Sequence, residues 1–384
     1  MRAFVLAGEP SGDRLGGALM TGLRTLSPDV EFAGIGGVEM RAQGLESLFP
    51  MDELSVMGIA EVLPRYRHLL RRMHQTADAV LEWQPDVLIT IDVPDFALRV
   101  AREVKARSDI RTVHYVAPSV WAWRPGRAAK MARSIDQVLA LLPFEPPYME
   151  AAGMRCDFVG HPVVSEPVAS DAEAAAFRTD TGIGDAPMIL VLPGSRRNEV
   201  ARLAPIFGEA LRPVLARHAS ARVVVPAAAP VAATVAEQVK RWPGAPLVLD
   251  PSDLPRAQAA ERKRRAFAAA DVALAASGTV SLELAAVRTP MVVAYDMNWI
   301  SWQIISRMVR VDSATLVNLV TDSKAVPEFL GPACRPQPIA DALDRTLEAP
   351  GKQLAALDAT MEALGRGGEA PGLRAARAVL DGLA

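Results

Sequence analysis

The chain has 384 residues, half of them hydrophobic and 22% charged, with a formal net charge of −2; this is an ordinary globular balance, long for one domain and comfortable for two. The overall charge does not point to nucleic acid, and the two cysteines, Cys156 and Cys334, make neither a disulfide framework nor a zinc spacing. Five histidines without an H-E-x-x-H pattern add no metal site, and no run reaches the ~20 apolar residues of a membrane-spanning helix, so a protein of a reducing cytoplasm is expected, without metal or cofactor.

The first strand, Phe4–Ala7, runs into Gly8-Glu9-Pro10-Ser11-Gly12-Asp13 and a helix through Gly16-Gly17-Ala18-Leu19. Backbone N–H groups and a helix N-terminus thus stand at the carboxyl end of a buried strand, where α/β sheets bind anions and nucleotides. Gly8 to Gly12 also interrupt the apolar run too early for a signal peptide. A strand at Glu31–Ile35 follows. Within Met57–Met73, Ile59, Val62, Leu63, Tyr66, Leu69, Leu70 and Met73 recur at three- and four-residue intervals among Arg65, Arg67, His68, Arg71 and Arg72. Such a basic amphipathic helix suits either a core-facing position or an anionic membrane surface; Glu61 and Pro64 put its start near residue 64.

The strand Val87–Ile91 ends at Asp92. A carboxylate there points into the crevice where ligands sit and can take a proton from an attacking hydroxyl, or it caps the helix Phe96–Lys105. Asp95 fits the cap better, which frees Asp92. Strands at Thr112–Val116 and Gln137–Leu141 complete the first half. The run His114 to Arg124 carries Trp121 and Trp123, and Arg124, Arg127, Lys130 and Arg133 fall every third residue. This is either a packed aromatic loop with a basic helix face or a pocket for a phosphorylated, apolar substrate.

From about 164 to 187 the rhythm breaks at Pro167, Asp180, Gly182, Gly184, Asp185 and Pro187, and the domain boundary is expected there. The second half restarts with the strand Ile189–Leu192, the loop Pro193-Gly194-Ser195, then Arg196 and Arg197. Arginine beside a helix N-terminus can grip a diphosphate bidentately. The loop is not a Walker A sequence, and the first loop lacks G-x-G-x-x-G, so dinucleotide binding is weakly supported. Further strands are expected at Val223–Val225, Pro246–Leu249, Val272–Ala275 and Met291–Ala294. After Ala276, Ser277, Gly278 and Thr279 either bond phosphate or cap a helix, and Glu283 either accepts ribose hydroxyls or is simply a favourable acid in a first turn. The charge run Glu261–Arg265 reads as a solvated helix face. The tail from about Pro336 is helical and broken at Gly365, Gly367 and Gly368. Continuous apolar strands alternating with helices indicate doubly wound parallel sheets covered on both faces.

Ten motifs in order resemble the lipid-A-disaccharide synthase family. They are Ala7 to Asp13; Gly34-Ile35-Gly36-Gly37; Ser55-Val56-Met57-Gly58 with Glu61-Val62-Leu63; Ile91 to Phe96; His114 to Trp123; Leu142-Pro143-Phe144-Glu145; Phe158 to Pro162; Leu192 to Arg196; Ala276 to Thr279; and Val317-Asn318-Leu319. Thr90, Ala117, Asn198 and Val317 depart from the family's usual residues.

The resemblance implies a GT-B fold, two Rossmann-like α/β domains facing across a cleft. These would span about 1–165 for the acceptor and membrane side and 185–350 for UDP-sugar. A last helix at about 355–384 would pack back on the first domain or be exchanged in a homodimer. It implies an inverting glycosyltransferase that joins UDP-2,3-diacylglucosamine to 2,3-diacylglucosamine 1-phosphate (lipid X), releases UDP, and works without a metal at the cytoplasmic face of the inner membrane. The family's catalytic aspartate matches Asp92, and its first glycine loop matches Ser11 with Glu9 and Asp13. Its UDP site matches Arg196 with Gly194, Ser195, Ser277, Gly278, Thr279 and Asn318, with Glu283 by looser analogy. Its acceptor and membrane side falls on Met57, Val62, Leu63, Tyr66, Leu69, Leu70, Trp121, Trp123 and Arg124. A peptidoglycan-type UDP-sugar transferase shares the architecture, and a NAD-dependent dehydrogenase shares the Rossmann lobes; UDP release with each acceptor and a test of NAD binding separate them.

Overall fold

The computed structural model describes residues 1–54, 59–124, 126–252, 254–276 and 278–383; the side chains of 59–65 and of 300 lie outside it. In chain order it runs β1 (Arg2–Ala7), α1 (Pro10–Leu26), β2 (Glu31–Ile35), α2 (Val38–Ala42), α3 (Ile59–Trp83), β3 (Val87–Ile91), α4 (Pro94–Lys105), β4 (Arg111–Tyr115), α5 (Gly126–Met131), β5 (Gln137–Ala140), α6 (Pro146–Glu150) and β6 (Arg155–Phe158). Then come α7 (Asp171–Asp180), β7 (Met188–Leu192), α8 (Arg197–Arg217), β8 (Arg222–Pro226), α9 (Ala232–Val239), β9 (Leu247–Leu249), α10 (Arg256–Ala269), β10 (Val272–Ala275), α11 (Val280–Ala286), β11 (Met291–Tyr295), α12 (Trp299–Met308), α13 (Leu316–Thr321), β12 (Glu328–Leu330), α14 (Pro336–Glu348), α15 (Gly351–Ala363) and α16 (Pro371–Leu383). The chain forms two compact units, Met1–Ser165 with Leu364–Ala384, and Glu166–Ala363.

The first unit is built on a parallel sheet in the order β2-β1-β3-β4-β5-β6. Its central strand, Val87-Leu88-Ile89-Thr90-Ile91, is buried along its whole length because helices cover both faces. On α4, Pro94 supplies a preset φ in the first turn, and Ala97, Val100, Ala101 and Val104 bury one stripe at helical spacing. The helix α16 returns to pack along α1. The two backbones approach so closely that a Cβ on Gly22 would lie 2.6 Å from the Gly372 carbonyl oxygen, so only glycine fits the crossing.

The second unit has the sheet order β12-β11-β10-β7-β8-β9, the arrangement of a dinucleotide-type Rossmann sheet, with its own core. Two edge strands, β6 and β12, escape the sequence reading. Each is short and carries polar residues (Arg155 and Asp157, Glu328), because an edge strand is covered less completely than a central one. The segment before β7 holds α7, opened by a reciprocal Ser170–Glu173 capping box that glycines and prolines nearby obscure. The helix α3 begins at Ile59 rather than near Pro64; a proline in the second turn forfeits one hydrogen bond, which burial of Met73, Ala77 and Val80 behind it outweighs.

Candidate functional site

In each unit the first strand lies where the strand order reverses, and there the loops leaving two neighbouring strands diverge and open a crevice. In the first unit that place is between β1 and β3. A Cβ on Gly8 would come within 2.9 Å of the Val93 methyls, and one on Gly12 within 3.4 Å of the Ile91 carbonyl oxygen. The start of α1, with Glu9 at its N-cap and Ser11 in its first turn, therefore rests against the turn carrying Asp92.

That turn is strained. Asp92 and Val93 have φ of +53° and +38°, and Val116 and Arg124, at the end of β4 and beyond, have +82° and +52°. Left-handed backbone costs about 1–3 kcal/mol at a non-glycine residue and concentrates where function demands it. Asp92, Val116 and Arg124 all line one cleft of about 180 Å³, together with His114, Ser119, Trp123 and Arg127. A carboxylate, two guanidiniums, an imidazole and a half-exposed indole thus converge at the carboxyl ends of β3 and β4. The Arg124 guanidinium lies 4.4 Å from the Trp123 ring centre. A larger cavity of about 320 Å³, among Leu81, Gln84, Arg107, Ser108 and Ile110, lies at the amino end of β4 and brings no carboxylate with it. Ligand chemistry in such sheets belongs to the carboxyl ends, so the smaller cleft is the candidate.

Several expected site residues are placed otherwise. Asp13 is buried, and its carboxylate accepts from the Gly37, Glu39 and Met40 N–H groups at 2.7, 2.9 and 3.1 Å. It holds the start of α2, so both oxygens are committed to the scaffold. Neither Asp92 nor Asp95 caps α4: the N-cap is Val93, and Asp95 stands exposed in the first turn, 3.5 Å from Arg127. Trp121 donates its indole N–H to Glu145 at 3.2 Å and packs edge-on against Phe144; it does not line the cleft as Trp123 does. Leu69 and Leu70 lean on the core, whereas Tyr66 is exposed. The expectations at Met57 and Ser277, and those at the Val62 and Leu63 side chains, lie outside the described residues. Sequence reading missed His114 and Ser119 as cleft residues. The signal was present, since both lie in the unusual His114–Arg124 run.

In the second unit the reversal falls between β7 and β10, where Ala276 N–H donates to the Leu192 carbonyl at 2.9 Å. The loops at Gly194–Arg196 and Gly278–Thr279 therefore leave adjacent strands. Gly194 has φ +115°, and a Cβ there would meet Glu199 at 2.8 Å. The Glu199 carboxylate accepts from the Ser195 and Arg196 N–H groups at 3.2 and 3.3 Å and pairs with the Arg196 guanidinium at 3.2 Å. An internal anion thus occupies donors that a diphosphate would use, while Arg196 itself remains largely exposed. Gly278, at φ +137°, has open space where a Cβ would be. Two other expected contacts are engaged elsewhere. Glu283 pairs with Lys263 at 2.5 Å. Asn318 is buried, and its amide exchanges two 2.9 Å hydrogen bonds with the Val326 backbone, fastening α13 to the segment before β12. Among the described residues, no three His, Cys, Asp or Glu side chains gather as a metal site.

Two buried groups, His114 and Glu145, and the partly buried His161 make the stability of the first unit depend on pH. Thr90 Oγ1 lies 2.8 Å from His114 Nδ1, and burial, with Arg127 adding to it, holds His114 at about 4 instead of the ordinary 6.5. Burial also holds His161 at about 4. The unfolded chain takes up these protons below 6.5 and the fold does not, so their contribution is complete above that pH and lost as it falls toward 4. Glu145 runs the other way: burial raises it from 4.5 to about 7, against the N–H groups of Leu142, Trp121 and Leu141. Its contribution is complete below 4.5 and lost as pH rises through 7. Glu145→Gln removes that opposing effect. Its melting temperature should therefore gain on the wild type progressively from pH 4.5 to 7; thermal scans at a series of pH values with a constant difference would refute the assignment.

Two Rossmann-like units, each with a glycine loop at its strand-order reversal, define the GT-B class. Known structures agree on the fold. A UDP-GlcNAc 2-epimerase from Neisseria meningitidis bound to UDP-GlcNAc superposes with a TM-score of 0.63 at 11% identity, covering 100% of this chain and 99% of that one. Anabaena HepE in complex with UDP and glucose gives 0.57 at 13%, covering 100% and 98%. The family model described as lipid-A-disaccharide synthetase matches residues 3–368. A lipid-A-disaccharide synthase of Ruegeria pomeroyi is 67% identical over 100% of this chain and 96% of its own length, and one of Rhodospirillum centenum is 49% identical over 98% and 94%. The chain belongs to the lipid-A-disaccharide synthase family.

Proposed function

We propose that the chain joins UDP-2,3-diacylglucosamine to 2,3-diacylglucosamine 1-phosphate, forming a β(1→6) disaccharide 1-phosphate and releasing UDP. Family membership supports the reaction. The observation that carries the site is the strained Asp92 turn, set against the Gly8–Gly12 loop in a cleft that also holds Arg124 and Arg127. In this reading Asp92 takes the proton of the acceptor 6-hydroxyl as its oxygen attacks C1 of the donor sugar. The C1–O bond to the diphosphate breaks on the opposite face, its electron pair leaves with UDP, and the configuration inverts from α to β. Arg124 and Arg127 supply cationic partners for the acceptor's 1-phosphate. The charge building on the diphosphate meets Arg196, the Gly194 loop N–H groups and the α8 N-terminus once Glu199 yields them.

Ser11 and Glu9, beside Asp92, would order the acceptor; the tie made by Asp13 keeps their loop in place. Mass spectrometry of the product from the two diacyl sugars tests the reaction directly. Arg196→Ala should weaken UDP binding by about 10–100-fold and slow turnover as well. Titration calorimetry giving an unchanged UDP affinity would remove Arg196 from the site.

A peripheral contact with an anionic membrane surface fits substrates that carry acyl chains. On α3, Tyr66, Arg67 and Arg71 are exposed, whereas Leu69 and Leu70 contribute only what the core leaves uncovered. Among the described residues no helix is long and apolar enough to cross a membrane. The α1–α16 contact is made here within one chain; a homodimer that exchanged its last helices would make the same contact between two.

A further inference from the structure

On the second unit, α12 carries an apolar surface that the described residues leave unpartnered. Asn298 starts the helix by accepting from the Ser301 N–H at 2.8 Å. Trp302 roots it, its ring lying where a Cβ on Gly331 would be, 2.5 Å away. Beyond that root, among the described residues, no helix or strand makes an extended contact along it. Trp299 is 71% exposed and Ile304 54%, and Ile305, Met308 and Val309 are also exposed. At 100° per residue, Ile304, Ile305 and Met308 share one stripe with Arg307 at its edge, while Trp299 stands on the opposite side of the helix. No comparable cluster occurs elsewhere among the exposed large apolar residues described.

The occupant of this face is marked by charge. From Asn298 to Val311 there is no acidic residue, while Arg307 and Arg310 are both exposed. The stretch is therefore net positive in a chain whose formal charge is −2. An isoleucine–methionine stripe edged by arginine is what a helix lying in the headgroup layer of an acidic bilayer presents. A second protein copy would place these arginines against a surface that must supply acids.

We propose that α12 docks the second unit on a bilayer containing anionic lipids, independently of α3 on the first unit. This rests on the proposed reaction in one respect, that diacyl substrates are held in such a bilayer.

The test uses the full chain and vesicles of phosphatidylcholine with or without phosphatidylglycerol. Brominated lipid should quench the tryptophan that Ile304→Trp adds to the stripe more strongly than the tryptophans of the wild type. The triple variant Ile304→Ser, Ile305→Ser, Met308→Ser should lower partitioning onto phosphatidylglycerol vesicles by about 10-fold or more. Its turnover on detergent-dispersed substrates should match the wild type while turnover on vesicle-borne substrates falls. No added quenching in Ile304→Trp, or unchanged partitioning of the triple variant, overturns the proposal. So does a triple variant that halves in sedimenting mass while still binding vesicles, since the face then belongs to a second copy. Loss of product formation by the wild type in detergent is a separate result and counts against the reaction.

Discussion

Asp92→Ala should lower turnover by about 10²–10⁴-fold, the usual contribution of a positioned general base, while UDP affinity stays within about 2-fold. The asymmetry follows from placement. Asp92 ends β3 of the first unit, whereas the candidate diphosphate loop follows β7 of the second. The variant also relieves nothing in the backbone, because alanine is no happier than aspartate at φ +53°. Asp92→Asn is therefore the cleaner companion: it keeps side-chain shape and tolerance of left-handed backbone and removes only basicity. Turnover within a few-fold of wild type for both variants, measured as UDP release, would end the role of Asp92 as base.

Asp13→Ala should cost about 3–5 kcal/mol of stability. Three N–H donors at Gly37, Glu39 and Met40 lose one acceptor that is itself buried. For a unit of this size each kcal/mol shifts the melting temperature by about 2–4 °C, so a fall of roughly 6–20 °C is expected. Asp13→Asn should retain part of the tie, since its single carbonyl oxygen still accepts. If Asp13 instead acted on substrate, alanine would abolish turnover and leave the melting temperature unchanged. Calorimetry and an activity assay at a temperature below both transitions distinguish these outcomes.

These two aspartates mark where sequence reasoning reached and where it stopped. Both sit beside glycine loops that α/β sheets use for ligands, and both match the family's motifs. Strand periodicity located β3 and therefore Asp92 at its carboxyl end, because a run of five buried apolar or β-branched residues is a local property of the chain. What Asp13 bonds to is a different kind of fact. Its partners lie 24 to 27 residues away, and no local pattern announces that a carboxylate is already spent on them. Asn318 is similar: its amide partners Val326 across a turn that only the packed chain closes. Glu283 and Trp121 carry the same lesson, each engaged by one side chain distant in sequence, Lys263 or Glu145.

By itself, the sequence determined the two βα-alternating halves, the positions of both glycine loops and the family, since these depend on composition, spacing and short-range propensity. Only the tertiary structure decided the strand order of each sheet and which two loops therefore meet at the reversal. It also decided that Asp13 and Glu283 are tied to partners within the fold, and that Asp92, Val116 and Arg124, which line one cleft, are held in left-handed backbone. The reason is that free energy at such sites comes from contacts between residues far apart in the chain. A buried donor must find its acceptor wherever the fold brings one, and a strained turn persists only because distant packing holds it.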